Sequence, residues 1–384
     1  MKILHRRIRS IAPGLFSLIL LLLTFTPVVA QEGRLIRETV YGKSLENNVT
    51  GDSPDRKVSI YLPPGYDSSV TRRYPVLYLL HGIGDTDAEF TVAWKNQDPD
   101  WGTLAALMNH GIAEGKLNEL IVVMPDERTK MIGSFYTNSS ATGNWEDFTT
   151  VDLVRYVDQK FRTLNRAESR GLAGHSMGGY GAIKLGMKHP DVFSVIYAMN
   201  PALLGWAADL SLENPAFAVL LSAKTTEDLF NGGMYAVGGM CVAQAFSPNP
   251  QRPPFFVDLP FKLVDGKLQP SEPAYSKWSA NMPLNMAADN KQNLMKLRGL
   301  RFDTAWDDEF THIPITVRAF ARKLDELGVK FRFEEYNGDH RNRMWGREGR
   351  LYTEVLPYFS ALLETEVKTP QTTARQRQAT ALAR

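Results

Sequence analysis

From about residue 56 onward, short apolar runs alternate with stretches in which apolar residues recur every three or four positions. "KVSIYLP", "YPVLYLLHG" and "LIVVMP", which begin at Lys57, Tyr74 and Leu120, have the length and β-branched content of strands. Between and after them, "WGTLAALMNHGIAEG" and "TTVDLVRYVDQKF" carry helical spacing, the second with Val151, Val154 and Val157 three apart. Farther along, "RGLAG", "VFSVIYAM", "RGLRFDTAW" and "KFRFEEY" read as strands. "MGGYGAIKLGMKH", "PITVRAFARKLDELG" (closed by Gly328) and "GRLYTEVLPYFSALLETE" read as helices. Strand–helix alternation with run-like, buried strands predicts an α/β fold: an open, mostly parallel central sheet with helices on both faces.

The alternation breaks over roughly 205–295, where "SPNPQRPPFF", glycine pairs and several Met and Trp residues replace it. Long segments between elements are usually functional, and α/β sheets bind ligands at their carboxyl ends. The segment is therefore expected to cap that end; a decorative insertion is the plainer alternative. Trp206, Trp278 and Phe255 either line an apolar pocket there or form the insertion's own small core.

The two ends stand apart from this pattern. "MKILHRRIRS" is basic, "LFSLILLLLTF" is apolar, and "PVVA" ends at Ala30 on a small residue, the order of a secretory signal. The apolar run is short for a membrane span, which needs about 20 residues. Residues 1–30 are expected to be a signal peptide, leaving a domain over 31–365 in the periplasm or secreted from a bacterium, with no stable membrane anchor. Residues 366–384 lack apolar periodicity and read as a flexible tail. The formal net charge is +2, from 44 basic and 42 acidic residues; without the four basic residues of the signal it is about −2. That balance does not recommend nucleic acid as a partner. Cys241 is the single cysteine, so no internal disulfide can form, and a core of this size does not require one.

Chemistry enters at "RGLAGHSMGGYGAIKLG". Gly174-His175-Ser176-Met177-Gly178 satisfies G-x-S-x-G, follows an apolar strand and opens a helix. Small residues at 174, 178 and 179 permit a turn too sharp for side chains, which lifts the Ser176 hydroxyl clear at a helix head. A helix-capping serine in a Gly-rich turn is the structural alternative. A serine nucleophile needs a base, and the base needs an orienting carboxylate, in the chain order Ser, acid, His. Of seven histidines, His5 lies in the signal, and His81, His110 and His175 precede the serine. His189 ends the helix the serine begins, and His312 follows the carboxylate cluster too closely. His340, in the loop "YNGDHRNRMW" after a late strand, remains. The acid should come from "RGLRFDTAWDDEF", where Asp303, Asp307, Asp308 and Glu309 are candidates; Asp308 is chosen, with Asp307 second. Two backbone N–H groups should hold an oxyanion. One is Met177, directly after the nucleophile; the other is Ile83 in the Gly-rich "LLHGIGDTD".

On these segments the chain resembles the esterase D / putative esterase family of α/β-hydrolases. "VSIYLPPGYD", "RYPVLYLLHGIG", "NWEDFTTVDLVRYVDQKFRT", "GLAGHSMGGYGAIKLGMKHPDVFS" and "NGDHRNRMW" carry the likeness over most of 56–200 and 296–362. The family includes feruloyl and acetyl esterases, S-formylglutathione hydrolases, siderophore esterases and mycolyltransferases. The resemblance implies serine-dependent cleavage of acyl esters, with Ser176 at the nucleophile's position, His340 at the base's, Asp308 at the acid's, and Ile83 and Met177 at the oxyanion donors'. Two departures stand out: the acid lies in an Asp-Asp-Glu run, not after a Gly-Thr turn, and the 205–295 insertion has no counterpart.

The expected activity is hydrolysis of a carboxylic ester, either carbohydrate-linked or with a small acyl or aromatic group. The rivals are an acyltransferase with the same triad, and a binding protein on the same fold that has lost catalysis. No metal or organic cofactor is implied: Cys/His ligand spacing is lacking, and "MYAVGGM" has neither the strand nor the lysine of a phosphate loop. Trp94, Trp101 and Trp145 either stack on a substrate or belong to the core.

Overall fold

The computed structural model describes residues 32–93 and 97–366. The expected signal peptide, Trp94 and residues 367–384 of the expected tail lie outside the described residues. The strands assemble into an eight-stranded sheet: β1 (Arg34–Tyr41), β2 (Asp55–Leu62), β3 (Val76–Leu80), β4 (Ile121–Pro125), β5 (Arg170–His175), β6 (Val195–Met199), β7 (Gly299–Ala305) and β8 (Arg332–Tyr336). Their spatial order is β1-β2-β4-β3-β5-β6-β7-β8. From β4 to β8 every neighbouring pair is parallel; β2 joins β4, and β1 joins β2, antiparallel. Strand β1 lies outside the run of alternating elements read from the sequence. Its apolar residues fall in adjacent pairs, Leu35-Ile36 and Val40-Tyr41, so this edge strand, buried only at Val40, lacks the alternation of a half-buried strand.

The period-2 geometry of the strands divides their side chains between two cores. Leu77 and Leu79 of β3 pack with Leu104, Leu107 and Met108 of helix α1 (Leu104–Ala113) and with the C-terminal helix (Leu356–Leu362). Val76, Tyr78 and Leu80 point the other way, into the apolar cluster they share with α2 (Leu153–Lys160) and α3 (Met177–Lys188), to which the long helix α8 (His312–Glu326) adds its buried face over β7. Both faces are thus covered, the condition that lets parallel strands be apolar on both sides. One helical expectation needs correcting. Val154 and Val157 of α2 are buried, but Val151 is 43 % exposed. Residues Phe148–Asp152 wind as a π-helical turn, and its wider turn breaks the spacing of three before α2 begins.

The insertion between β6 and β7 contains α4 (Ala216–Ser222), α5 (Thr226–Asn231), α6 (Met234–Phe246), a hairpin (Phe261–Val264 with Lys267–Pro270) and α7 (Ala274–Ala280). Phe217, Leu220, Met240, Phe246 and Trp278 join the same apolar cluster as one face of the sheet. It is therefore an extension of the domain's core. Trp206 stacks on Trp278, with centroids 5.8 Å apart, and on Tyr275.

Within β6, β7 and β8 a largely buried ionic knot joins the three strands. Asp303 of β7 accepts from Arg350 Nε (3.0 Å) and from Tyr197 Oη of β6 (2.8 Å), and Arg350 also reaches Glu334 of β8 (2.9 Å). Asp303 is thus spent on structure. Removing one partner of a buried pair leaves a charge without compensation. Arg350→Met is expected to lower stability by about 3 kcal/mol, measured by urea unfolding.

Candidate active site

Strand β5 is wholly buried and ends at His175; α3 begins at Met177. Between them Ser176 sits at φ +57°, ψ −116°, a backbone conformation that L-residues rarely adopt. Two close approaches make this turn possible. A Cβ on Gly174 would lie 2.3 Å from the Gly178 carbonyl carbon, and one on Gly178 would lie 2.2 Å from Leu80 O. Only glycine fits at either place. The turn is pinned by backbone bonds: Ser176 N–H donates to Met199 O (3.0 Å), and Ser176 O accepts from Tyr180 N and Ala202 N. The strain is held by surroundings that over-determine it.

His340 follows β8 and is 3 % exposed. Its Nδ1 lies 2.7 Å from Asp308 Oδ2, and Asp308 Oδ1 accepts from Phe310 N–H (2.9 Å). With the carboxylate accepting from Nδ1–H, Nε2 is the bare nitrogen, available to take a proton. Of the other carboxylates in the sequence run, Asp307 is exposed, Asp303 belongs to the knot with Arg350, and Glu309 accepts from the His340 backbone N–H (3.2 Å). The imidazole's backbone is itself held: His340 O accepts from His175 Nε2 (2.8 Å) and Asn200 Nδ2 (3.1 Å). His175, the residue beside Ser176, has its ring centroid 4.6 Å from that of His340. The elbow and the histidine loop are thereby tied together. Among the described residues, no hydrogen bond joins Ser176 Oγ to His340; such links often tighten only in the substrate complex.

The loop after β3 brings Ile83 to the same place. A Cβ on Gly82 would lie 3.5 Å from Ser176 Cβ. The side chains of Ile83 and Met177 converge over Gly133, where a Cβ would lie 3.1 Å from Ile83 Cγ1 and 2.7 Å from Met177 Sδ. Among the described residues, neither the Ile83 nor the Met177 N–H donates to another group. The flanking groups are committed: Gly82 N–H to Glu89 Oε2 (2.9 Å) and Gly84 N–H to Ile132 O (3.0 Å). His81 braces the loop from below, with Nδ1 2.7 Å from Gly82 O and Nε2 accepting from Glu127 N–H (2.8 Å). That tautomer is neutral, and burial lowers the ring's pKa, which keeps it so. Burial pushes Glu127 up to about 8, and burial with Asp85 nearby pushes Glu89 up to about 8.

Ser176 forms part of the wall of a partly open cleft whose empty space, open solvent included, is about 590 Å³. Ile83, Phe135 and Phe310 border it from the sheet side, and Phe217, Val242 and Trp278 from the insertion. Trp206 lies behind Trp278, while Phe255 borders a different cavity. Trp145 is fully buried and donates from Nε1 to Thr142 O, so it belongs to the core; Trp101 stacks on His110 with centroids 4.1 Å apart. One group behind the wall of this cavity, in contact with Tyr235 and His312, has no signature in the sequence. Asp209 of the insertion accepts from the Thr311 (2.7 Å) and His312 (2.9 Å) N–H groups at the head of α8, from Tyr235 Oη, and lies 2.8 Å from His312 Nδ1. It clasps the insertion to the sheet. A lone Asp in "GWAADLSL" matches no motif; its significance comes from 102 residues away.

The chain matches the family model described as "Putative esterase" over residues 53–348. An esterase of Mycobacterium tuberculosis is 38% identical over 141 residues, 36% of this chain and 27% of that protein. An endo-1,4-beta-xylanase/feruloyl esterase of Xylanibacter ruminicola is 33% identical over 141 residues, 35% of this chain and 18% of that protein. The chain thus spans about a quarter or less of the length of these relatives. A solved ferulic acid esterase superposes with a TM-score of 0.59 at 20% identity, covering 86% of this chain and 99% of the other. An S-formylglutathione hydrolase of Agrobacterium tumefaciens gives 0.54 at 15% identity, covering 87% and 97%. At such identities the likeness speaks to the fold, which is that of the α/β-hydrolases.

A carboxyl group whose pKa is raised on folding binds a proton that the unfolded chain has released. Its contribution is complete below the ordinary carboxyl range near 4.5 and is lost as pH rises toward about 8. Glu127→Gln should therefore flatten the fall in stability between pH 5 and pH 8, with the variant gaining on the wild type at pH 9. Urea unfolding at the three pH values measures this.

Proposed function

The chain belongs to the putative esterase family, and from that premise we propose that it hydrolyses carboxylic esters through an acyl-Ser176 intermediate. The observation that most supports this reading is the buried His340–Asp308 pair, 2.7 Å apart, tied through His175 to a strained serine that faces a cavity. Ser176 Oγ attacks the ester carbonyl carbon while His340 Nε2 takes the hydroxyl proton. The carbonyl π electrons move onto oxygen, where the Ile83 and Met177 N–H groups receive the charge. A single lost donor of this kind costs about 3–4 kcal/mol of transition-state stabilisation in a well-studied hydrolase. The tetrahedral species collapses, the C–O bond to the alcohol breaks, and His340 returns its proton to the departing alkoxide. A water molecule then attacks the acyl-enzyme, giving its proton to His340; the carboxylic acid leaves and Ser176 recovers its hydrogen. Throughout, Asp308 holds the ring with Nδ1 protonated and stabilises the imidazolium.

Export belongs to the same proposal, supported by the basic, apolar, small-residue order of residues 1–30. Detection of the protein in a periplasmic fraction, with an N-terminus at Gln31, tests it.

Ser176→Ala is expected to reduce p-nitrophenyl acetate turnover at least about a thousandfold, with an unchanged circular dichroism spectrum. Retained turnover would remove Ser176 from the reaction. Asp308→Asn should lower kcat by roughly a thousandfold or more, whereas Asp307→Asn, at an exposed position, stays within about threefold of wild type. Equal losses in the two variants would contradict the assignment of the acid. Product analysis in the presence of competing alcohols, with free acid dominating, separates hydrolysis from acyl transfer.

A further inference from the structure

Resting on the reading of Ser176 as the acylated residue, we propose that the acyl half of the substrate is apolar and hydroxyl-free. It fills the cavity beneath α6, where Gly238 sets its length.

The first question is which half of an ester the cavity takes. The leaving alkoxide must face the imidazole that protonates it. Ser176 and Ile83 border the cavity, but His340 does not. Phe310 separates them: its ring meets the His340 ring edge-on, with centroids 4.9 Å apart, and also borders the cavity. The alcohol therefore departs on the imidazole's side of Phe310, and the space beneath α6 is left for the acyl chain.

The second question is what chemistry that space accepts. Apart from Ser176, the wall side chains with polar atoms are Tyr235, His312 and Trp278, whose indole Nε1–H already donates to Ser247 Oγ (2.9 Å). Asp209 engages one polar atom of each of the first two: it accepts from Tyr235 Oη and lies 2.8 Å from His312 Nδ1, which leaves His312 Nε2 as a single remaining ring acceptor. Although burial opposes it, the bonds from His312 and Tyr235 hold the Asp209 carboxyl down at about 2, so the carboxylate stays ionised and keeps both partners. A phenol or aliphatic hydroxyl buried here would meet mostly carbon, and burying an unpaired hydroxyl is unfavourable. A plain alkyl chain or an unsubstituted aryl ring has no such cost.

Length is read from α6. A Cβ on Gly239 would lie 2.8 Å from Leu220 Cδ1, so packing accounts for that glycine. At Gly238 a Cβ would meet only Ile83 Cδ1, at 3.6 Å, and the position opens on the cavity. Glycine is the poorest helix former after proline, so room for a ligand, not the helix itself, accounts for its presence there.

The test uses the purified protein with p-nitrophenyl acetate, butyrate and hexanoate, and with methyl cinnamate against methyl ferulate. Fluorophosphonate labelling counts competent serines in every preparation. Expected are a rise in kcat/KM of about fourfold per methylene from acetate to hexanoate, and at least a tenfold preference for cinnamate. Gly238→Leu, which also improves helix propensity, should lower the hexanoate-to-acetate ratio at least tenfold per labelled site. Gly238→Ala should lower it severalfold and stands in if the leucine variant does not fold. A flat or falling chain-length series, ferulate cleaved as well as cinnamate, or an unchanged ratio in a labelled variant would each overturn the inference while leaving Ser176 chemistry intact. Failure of the wild type to label would instead overturn the reading on which it rests.

Discussion

The distance between two stretches of backbone governs the site. The first turn of α3 lies so close to the end of β3 that a Cβ on Gly178 would come within 2.2 Å of Leu80 O. At that separation the Ser176 hydroxyl, the first N–H of α3 and the loop carrying Ile83 share one small volume. Any side chain at Gly174 or Gly178 would force the helix away from the sheet, and the strained φ of Ser176 would lose the contacts that hold it. Packing of backbone on backbone is thus the condition for the chemistry.

A second constraint acts from behind. The loops bearing Asp308 and His340 leave neighbouring parallel strands, and their stems are joined by buried polar groups: Asp303 with Arg350 and Tyr197, and Asn200 with His340 O, Ala305 N and Tyr336 Oη. Bonds like these have strict geometry, so they hold the imidazole in one orientation where apolar packing alone would permit several. His81, Glu89 and Glu127 brace the Ile83 loop in the same way. The burial that makes these bonds strong also raises both glutamates toward neutral pH, which links the loop's rigidity to proton uptake.

The insertion shapes the cavity beside Ser176 as the sheet shapes the turn that carries it. Its helices share the sheet's apolar core, and Asp209 fastens them to the head of α8 through N–H groups that α8 itself leaves unsatisfied. The same carboxylate takes up Tyr235 Oη and His312 Nδ1. An otherwise ordinary clasp therefore has a chemical side effect on the cavity: it leaves the wall beside Ser176 with few groups to offer a polar ligand.

Much of this was legible in the linear order. Apolar periodicity identified the parallel strands and their helices, because burial on both faces demands runs of one kind and burial on one face demands the other. The glycines around Ser176 marked a turn too tight for side chains. Strand β1 escaped, because an edge strand with its apolar residues in adjacent pairs shows no alternation, and Val151 misled, because a π-helical turn alters the helical period. Among Asp303, Asp307, Asp308 and Glu309 composition has nothing to choose. Only the folded chain turns Asp308 inward to His340 while leaving Asp307 in solvent and giving Asp303 to Arg350. By itself, then, the amino-acid order determined which elements form and where a sharp turn presents a serine, since these follow from local sterics and burial. Tertiary structure decided which carboxylate meets the imidazole and what kind of wall the cavity has. Those depend on contacts between residues far apart in the chain, His175 and His340 being 165 positions apart, whose directions no local pattern records.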